Sequence, residues 1–162
     1  MNIELGPLPY PAFANPRDPV VLFVDDDPEI LSALRRCFRQ EPVILRTALG
    51  SAEGLSWLAR TRVDLVITDE RMPGMAGTDF LEEARALSPR TRRAILSGYP
   101  SDALIRRGLE AGADAFHYKP WDDRSLREFV RGLLQKSPTV RVPFGVDRDS
   151  LSDSFDLGGE GG

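Results

Sequence analysis

The chain has 162 residues, 41% of them hydrophobic and 28% charged, with a formal net charge of -4; this suits one globular core with loose ends and gives no electrostatic footprint for non-specific nucleic-acid binding. A single cysteine, Cys37, excludes an intrachain disulfide and suggests no cysteine-based metal cluster. No apolar run approaches the roughly 20 residues that span a bilayer, and Met1 to Pro19 has neither the basic nor the apolar region of a signal peptide, so no membrane partner and a reducing cytoplasm are expected.

Residues 1–18 read as a proline-rich N-terminal extension, because Pro7, Pro9, Pro11 and Pro16, with Pro19 just beyond, favour an extended chain. The pattern then predicts a strand over Val20 to Val24. Asp27 and Pro28 supply a cap and a first helical residue for a helix carrying Ile30, Leu31, Leu34 and Phe38, with Cys37 as inert packing beside Phe38. A second strand is expected over Val43 to Thr47. The helix after it starts near Ser51 and carries Leu55, Leu58 and Ala59, weakened by Gly54 at about 1 kcal/mol relative to Ala. A third strand, Val63 to Thr68, leads into a turn at Pro73-Gly74 flanked by Met72 and Met75, then a helix with Phe80, Leu81, Ala84 and Leu87. A fourth strand, Arg93 to Leu96, precedes a helix that begins after Ser101 and ends near Gly112, a left-handed cap. The fifth strand, Ala115 to Tyr118, points His117 away from Phe116 and Tyr118, and His117 reads as structural. The last helix shows Leu126, Phe129, Val130, Leu133 and Leu134 on one face. Arg124, Arg127 and Arg131 lie off that stripe, and Arg106 and Arg107 sit on the fourth helix. They read either as a solvated face or as a docking face for an acidic partner or a second copy. After residue 137 the periodicity stops, and residues 138–162 read as a flexible acidic tail holding Asp147, Asp149, Asp153, Asp156 and Glu160.

Short apolar runs alternating with helix-period segments predict an α/β fold. The economical form is a flavodoxin-like doubly wound (βα)5 parallel sheet, strand order 2-1-3-4-5. Ligands in such folds bind outside the carboxyl ends of the strands. There the first strand delivers Asp25 and Asp26, the third Asp69, the fourth Ser97 and the fifth Lys119-Pro120. Like charges about 4 Å apart at an effective dielectric of 20 repel by about 4 kcal/mol, so three carboxylates in one crevice invite a divalent cation. Oxygen ligands without His or Cys favour Mg²⁺, Mn²⁺ or Ca²⁺, and Mg²⁺ suits one or two carboxylates beside a phosphate. A carboxylate beside Mg²⁺ and a lysine is a credible nucleophile for phosphoryl transfer, with Ser97 able to hydrogen-bond the transferred group.

The stretches Val21-Leu-Phe-Val-Asp-Asp-Asp-Pro28, Leu65-Val-Ile-Thr-Asp-Glu-Arg-Met-Pro-Gly74, Ile95-Leu-Ser-Gly98 and Tyr118-Lys-Pro-Trp121 together resemble the receiver domain of two-component response regulators, over about residues 19–137. The resemblance implies that Asp69 is the phosphoacceptor and that Asp25, Asp26 and the backbone carbonyl of Arg71 complete the Mg²⁺ ligands. It implies that Ser97 moves toward the phosphoryl group, that Lys119 pairs with one of its oxygens, and that Pro120 follows a cis peptide bond. The switch aromatic falls at Phe116, which lacks the hydroxyl of the more common Tyr. Arg71 and Tyr99 occupy positions that tune phosphate lifetime, and both are large enough to shield the site. The implied donor is a histidine kinase or phosphotransfer protein, and the implied output surface is formed by the fourth helix, fifth strand and fifth helix. No helix-turn-helix pattern follows, so the resemblance is to a receiver standing alone or a piece of a longer regulator. Two alternatives compete with phosphoacceptor signalling. One is a haloacid-dehalogenase-like phosphatase with Asp25 as nucleophile, since Asp25 to Asp27 has the Asp-x-Asp spacing. The other is a receiver-like scaffold that works without phosphorylation.

Overall fold

A computed structural model describes residues 15–135 of the chain. The elements alternate strictly: β1 (Val20–Asp25), α1 (Pro28–Cys37), β2 (Ile44–Leu49), α2 (Ser51–Arg60), β3 (Leu65–Asp69), α3 (Gly77–Leu87), β4 (Arg92–Ser97), α4 (Asp102–Glu110), β5 (Ala115–Tyr118) and α5 (Asp123–Gln135). The strands form one parallel sheet in the order β2-β1-β3-β4-β5, the doubly wound arrangement expected from the alternation. Most of the 1–18 extension and all of the 138–162 tail lie outside the described residues. Among the described residues no helix is long and apolar enough to cross a membrane.

Period-two alternation along the strands splits the core in two. Val21 and Phe23 face α1 and α5, where they meet Leu31, Leu34, Phe38, Leu126, Phe129 and Leu133. Leu22 and Val24 face the other way, toward Leu58, Phe80, Leu81 and Ile105. The same alternation in β5 sends Phe116 to the second cluster. His117 goes to the α5 side, where its ring meets Phe129 edge-on at 4.9 Å. Its nitrogens lie 3.1 Å from the Tyr118 carbonyl oxygen and 3.2 Å from Ser125 Oγ. The structural role expected of His117 fits these contacts.

Local chemistry sets the helix ends. Asp27 caps α1 by accepting from the Glu29 N–H at 2.8 Å, and Pro28 opens the helix. Ser101 caps α4 through the Leu104 N–H at 3.1 Å, and Gly112 adopts φ +93° just past its end, a conformation that suits glycine. Gly54, expected to weaken α2, has a packing reason. A Cβ there would lie 2.9 Å from both Phe80 Cε2 and Val24 Cγ2, so the missing side chain lets α2 approach the sheet. β3 starts at Leu65 rather than at Val63. Asp64 instead clamps the start of β1, its carboxylate accepting from the Val20 N–H at 2.7 Å and its own N–H donating to the Val20 carbonyl at 2.9 Å.

Candidate functional site

The register brings the strand-end residues together. Val24 pairs with Thr68, so Asp25 and Asp69 are the next residues out on adjacent strands. Asp69 pairs with Leu96, which puts Ser97 one step further along β4. Ser97 pairs with Tyr118, and its carbonyl accepts from the Lys119 N–H at 2.8 Å. The Lys119–Pro120 peptide is cis.

Lys119 lies between two carboxylates. Its Nζ donates to Asp25 Oδ2 at 2.6 Å and reaches Asp69 Oδ1 at 3.2 Å. Asp25 is buried, and its other oxygen accepts from the Asp27 N–H at 2.9 Å. Asp26 is exposed, and one carboxylate oxygen from each of Asp25, Asp26 and Asp69 falls within 4.8 Å of the others. With all three ionised, the single ammonium leaves two negative charges uncompensated. Burial raises the Asp69 carboxyl above its usual range, and the charge of Asp25 adds to that, while Lys119 opposes it. Burial alone would depress the Lys119 ammonium. The hydrogen bond to Asp25 and the charges of Asp69 and Asp25 outweigh it, so its pKa is raised. This oxygen-only donor set with residual negative charge fits a hard divalent cation.

The other expected site residues occupy different environments. Ser97 is buried at the end of β4. Phe116 is buried beneath α4, where a Cβ on Gly108 would lie 2.6 Å from its Cζ. Arg71 is exposed and lines a shallow groove with Asp26, Glu70 and Arg107. Tyr99 does not shield the site as expected, since it is 90% exposed in the loop that follows Gly98.

Several residues with a place here carried no motif signal. Glu70, directly after Asp69, is buried and takes three donors: the Thr78 N–H at 2.9 Å, Thr78 Oγ1 at 3.1 Å and Arg107 Nη2 at 3.2 Å. Burial raises its carboxyl, against the pull of these partners. It supplies the acceptor that α3 lacks, because Ala76 at the cap position has no side-chain oxygen. That Ala, where Ser, Thr, Asp or Asn is preferred, was one sequence cue to an outside acceptor. Gly77 is the other cue. Its N–H donates to the Glu70 carbonyl at 2.9 Å, and a Cβ there would overlap the Asp69 carbonyl oxygen.

The arginines expected as a solvated or docking face are largely committed within the chain. Arg131 Nε donates to Glu41 Oε2 at 2.9 Å, its Nη2 reaches the other Glu41 oxygen, and Arg127 Nη1 donates to the Cys37 carbonyl at 3.2 Å. Arg124 pairs with Glu128 at 3.1 Å. Arg107 turns back to Glu70.

The fold is shared with known proteins. The family model "Response regulator receiver domain" matches residues 21–131. The chain belongs to the response regulator receiver family. It is 36% identical over 116 residues to the hydrogenase transcriptional regulatory protein HoxA of Cupriavidus necator, a match covering 71% of this chain and 24% of that protein. It is 35% identical over 160 residues to the transcriptional regulatory protein PrrA of Mycobacterium leprae, covering 86% of this chain and 69% of that one. The chain thus spans about a quarter of the first relative and somewhat over two thirds of the second. Among solved structures, a CheY-like receiver domain protein from Methanospirillum hungatei superposes with TM-score 0.69 at 32% identity, over 72% of this chain and 94% of that one. The signal receiver domain of an HD domain-containing protein from Pseudomonas fluorescens gives TM-score 0.70 at 33% identity, over 74% and 96%.

Receiver membership displaces the phosphatase reading. Both oxygens of Asp25 are engaged inside the site, and Asp27, the second acid of the Asp-x-Asp pattern, caps α1 instead of facing the crevice.

Proposed function

We propose that this receiver is a phosphoacceptor in a two-component phosphorelay, with Asp69 as the acceptor. The observation that carries the reading is the Asp69 carboxylate at the carboxyl edge of the central strand, paired with Lys119 and flanked by the acidic pair Asp25 and Asp26. An Asp69 oxygen attacks phosphorus, a new O–P bond forms, and the bond from phosphorus to the donor breaks, with the electron pair leaving on the donor. The donor is the phosphohistidine of a histidine kinase or phosphotransfer protein. Lys119 is placed to hold a phosphoryl oxygen by charge-assisted hydrogen bonding, and Ser97 to take another after a short movement. Asp25, Asp26, Asp69 and the backbone carbonyl of Arg71 would hold Mg²⁺, which when bound neutralises charge on the transferred phosphoryl oxygens. The protein promotes its own phosphorylation and hydrolysis and turns over no metabolite.

Output passes through a shift in population involving Ser97, Phe116 and the α4-β5-α5 face, which docks a downstream protein or a second copy of the chain. Phe116 acts by packing alone, for want of a hydroxyl. The test is intact mass after incubation with acetyl phosphate and Mg²⁺. Wild type should gain one phosphoryl group and Asp69→Ala none. No gain in a folded wild type would favour the phosphorylation-independent scaffold, and gain in both would move the acceptor elsewhere.

A further inference from the structure

Neighbouring residues of α4 touch two different parts of the sheet. Arg107 reaches Glu70, the residue after Asp69 on β3, at 3.2 Å. Gly108 lies against the Phe116 ring on β5 so closely that a Cβ would fall 2.6 Å from Cζ and 2.8 Å from Cε1. The loop feeding α4 begins directly after Ser97. Because β3, β4 and β5 belong to one sheet, a shift of α4 against β5 also changes the position of Arg107 relative to Glu70.

The pair is unequal in a way that suits a releasable tie. Glu70 is anchored: its side chain is 10% exposed, and both oxygens are bonded to Thr78 at the start of α3. Arg107 is 64% exposed, so its guanidinium can return to water at little cost. Releasing it leaves both Glu70 oxygens hydrogen-bonded to Thr78, so no oxygen of the carboxylate loses its last donor.

We infer that Arg107 is a positioning residue: through Glu70 it ties α4 to the end of β3 and favours the arrangement in which Lys119 binds the Asp69 carboxylate. An interaction made in only one of two conformations biases their equilibrium. By linkage, its removal strengthens the binding of anything that prefers the other conformation. This rests on the receiver reading above, because phosphorylation of Asp69 is the event that selects the second conformation.

The experiment compares wild type, Glu70→Gln, Arg107→Ala and Arg107→Lys, with Asp69→Asn as a control for the site. In Glu70→Gln the amide can still accept from the Thr78 N–H and donate to its hydroxyl, which isolates the loss of Arg107. The probe is beryllofluoride with Mg²⁺, titrated by melting-temperature shift, together with amide hydrogen exchange of a peptide covering α4 in the free protein. Glu70→Gln and Arg107→Ala should bind the probe about two- to fivefold more tightly than wild type, the scale of an ion pair exposed at one end. Their α4 amides should exchange faster by a similar factor, with Arg107→Lys between. Unchanged or weaker probe binding in both variants, with wild type binding normally, would overturn the inference and leave the phosphoacceptor reading intact. If wild type and Asp69→Asn both ignored the probe, that reading would fail and the affinity effect with it. The tie itself would then be overturned by unchanged α4 exchange in both variants and upheld by faster exchange.

Discussion

The two edges of the sheet handle charge in opposite ways. At the amino edge the acids Asp64, Asp114 and Glu41 each meet a donor. Asp64 takes the Val20 N–H and pairs with Arg62 at 3.5 Å. Asp114 takes the Arg93 N–H at 2.9 Å, while the Arg93 side chain donates to the carbonyls of Gly112 and Thr91 at 2.8 Å each. Glu41 is held by Arg127 and Arg131. At the carboxyl edge three acids face a single lysine. One edge is arranged for stability, and the other keeps electrostatic repulsion that a fold alone has no use for. Buried groups with perturbed ionisation and a specific charge partner mark candidate functional sites for this reason.

The largest expected effect tests that contrast. Mg²⁺ at a hundredfold excess over its Kd should stabilise the protein by about 2.7 kcal/mol. Asp69→Asn, with one repelling carboxylate gone, should melt higher than wild type in chelator, and the order should reverse in Mg²⁺. A calorimetric series in which Asp69→Asn melts below wild type in both buffers would mean that the carboxyl edge carries no strain.

A smaller effect is expected at the other edge. Asp64→Ala leaves the Val20 N–H without its acceptor at the start of β1, which should cost about 1–2 kcal/mol in urea denaturation. The Mg²⁺ response should stay at its wild-type value. Loss of the metal response on this substitution would show that the two edges are not independent.

How far each edge could be read in the sequence follows from the kind of interaction it uses. Asp25, Asp69, Ser97 and Lys119 were legible because a parallel sheet places strand ends at one edge, and period and register do the rest. The doubly wound order was legible from alternation for the same reason. Pairings that jump across the chain left no period. Glu41 and Arg131 are 90 positions apart, and Glu70 and Arg107 are 37 apart, so the sequence offered those arginines only as a solvated or a docking face and left no sign of these partners. Gly54 looked like a weak point in α2, because propensity is local whereas its contact with Phe80 is tertiary. Tyr99 shows the reverse error: a large side chain near a site was credited with covering it, but the loop after Gly98 turns it to solvent.

The α5 arginines set a finer test of the amino edge. Arg131→Ala should lower the denaturation midpoint only slightly, since the pair with Glu41 is exposed on the arginine side. Glu41 keeps Arg127 as a second partner at 3.7 Å. A larger loss in chemical denaturation would mean that the arginines brace the turn after α1 together, which a double-mutant cycle with Arg127→Ala would reveal as coupling.

The smallest effect at neutral pH concerns Cys37, at the end of α1 beneath those arginines. Burial pushes its thiol up from 9.0 to about 11, the charge of Asp123 adds to this, and Arg127 pulls the other way. Its Sγ lies 3.7 Å from the Asp123 carbonyl oxygen, so the protonated form can donate there. Because the folded pKa is raised, the unfolded chain ionises first. The thiol's contribution to stability is fully present below about pH 9 and is lost as the pH rises through about 11. At pH 8 the two-unit shift alone should slow alkylation by iodoacetamide about a hundredfold relative to the unfolded chain. Restricted access to the buried sulfur slows it further. Alkylation of the folded protein at a tenth of the unfolded rate or faster would mean that the α1–α5 packing opens readily. Arg127→Ala separates the two causes: losing its charge raises the thiol further and slows alkylation if α1 stays seated, whereas faster labelling would show that Arg127 holds α1 in place.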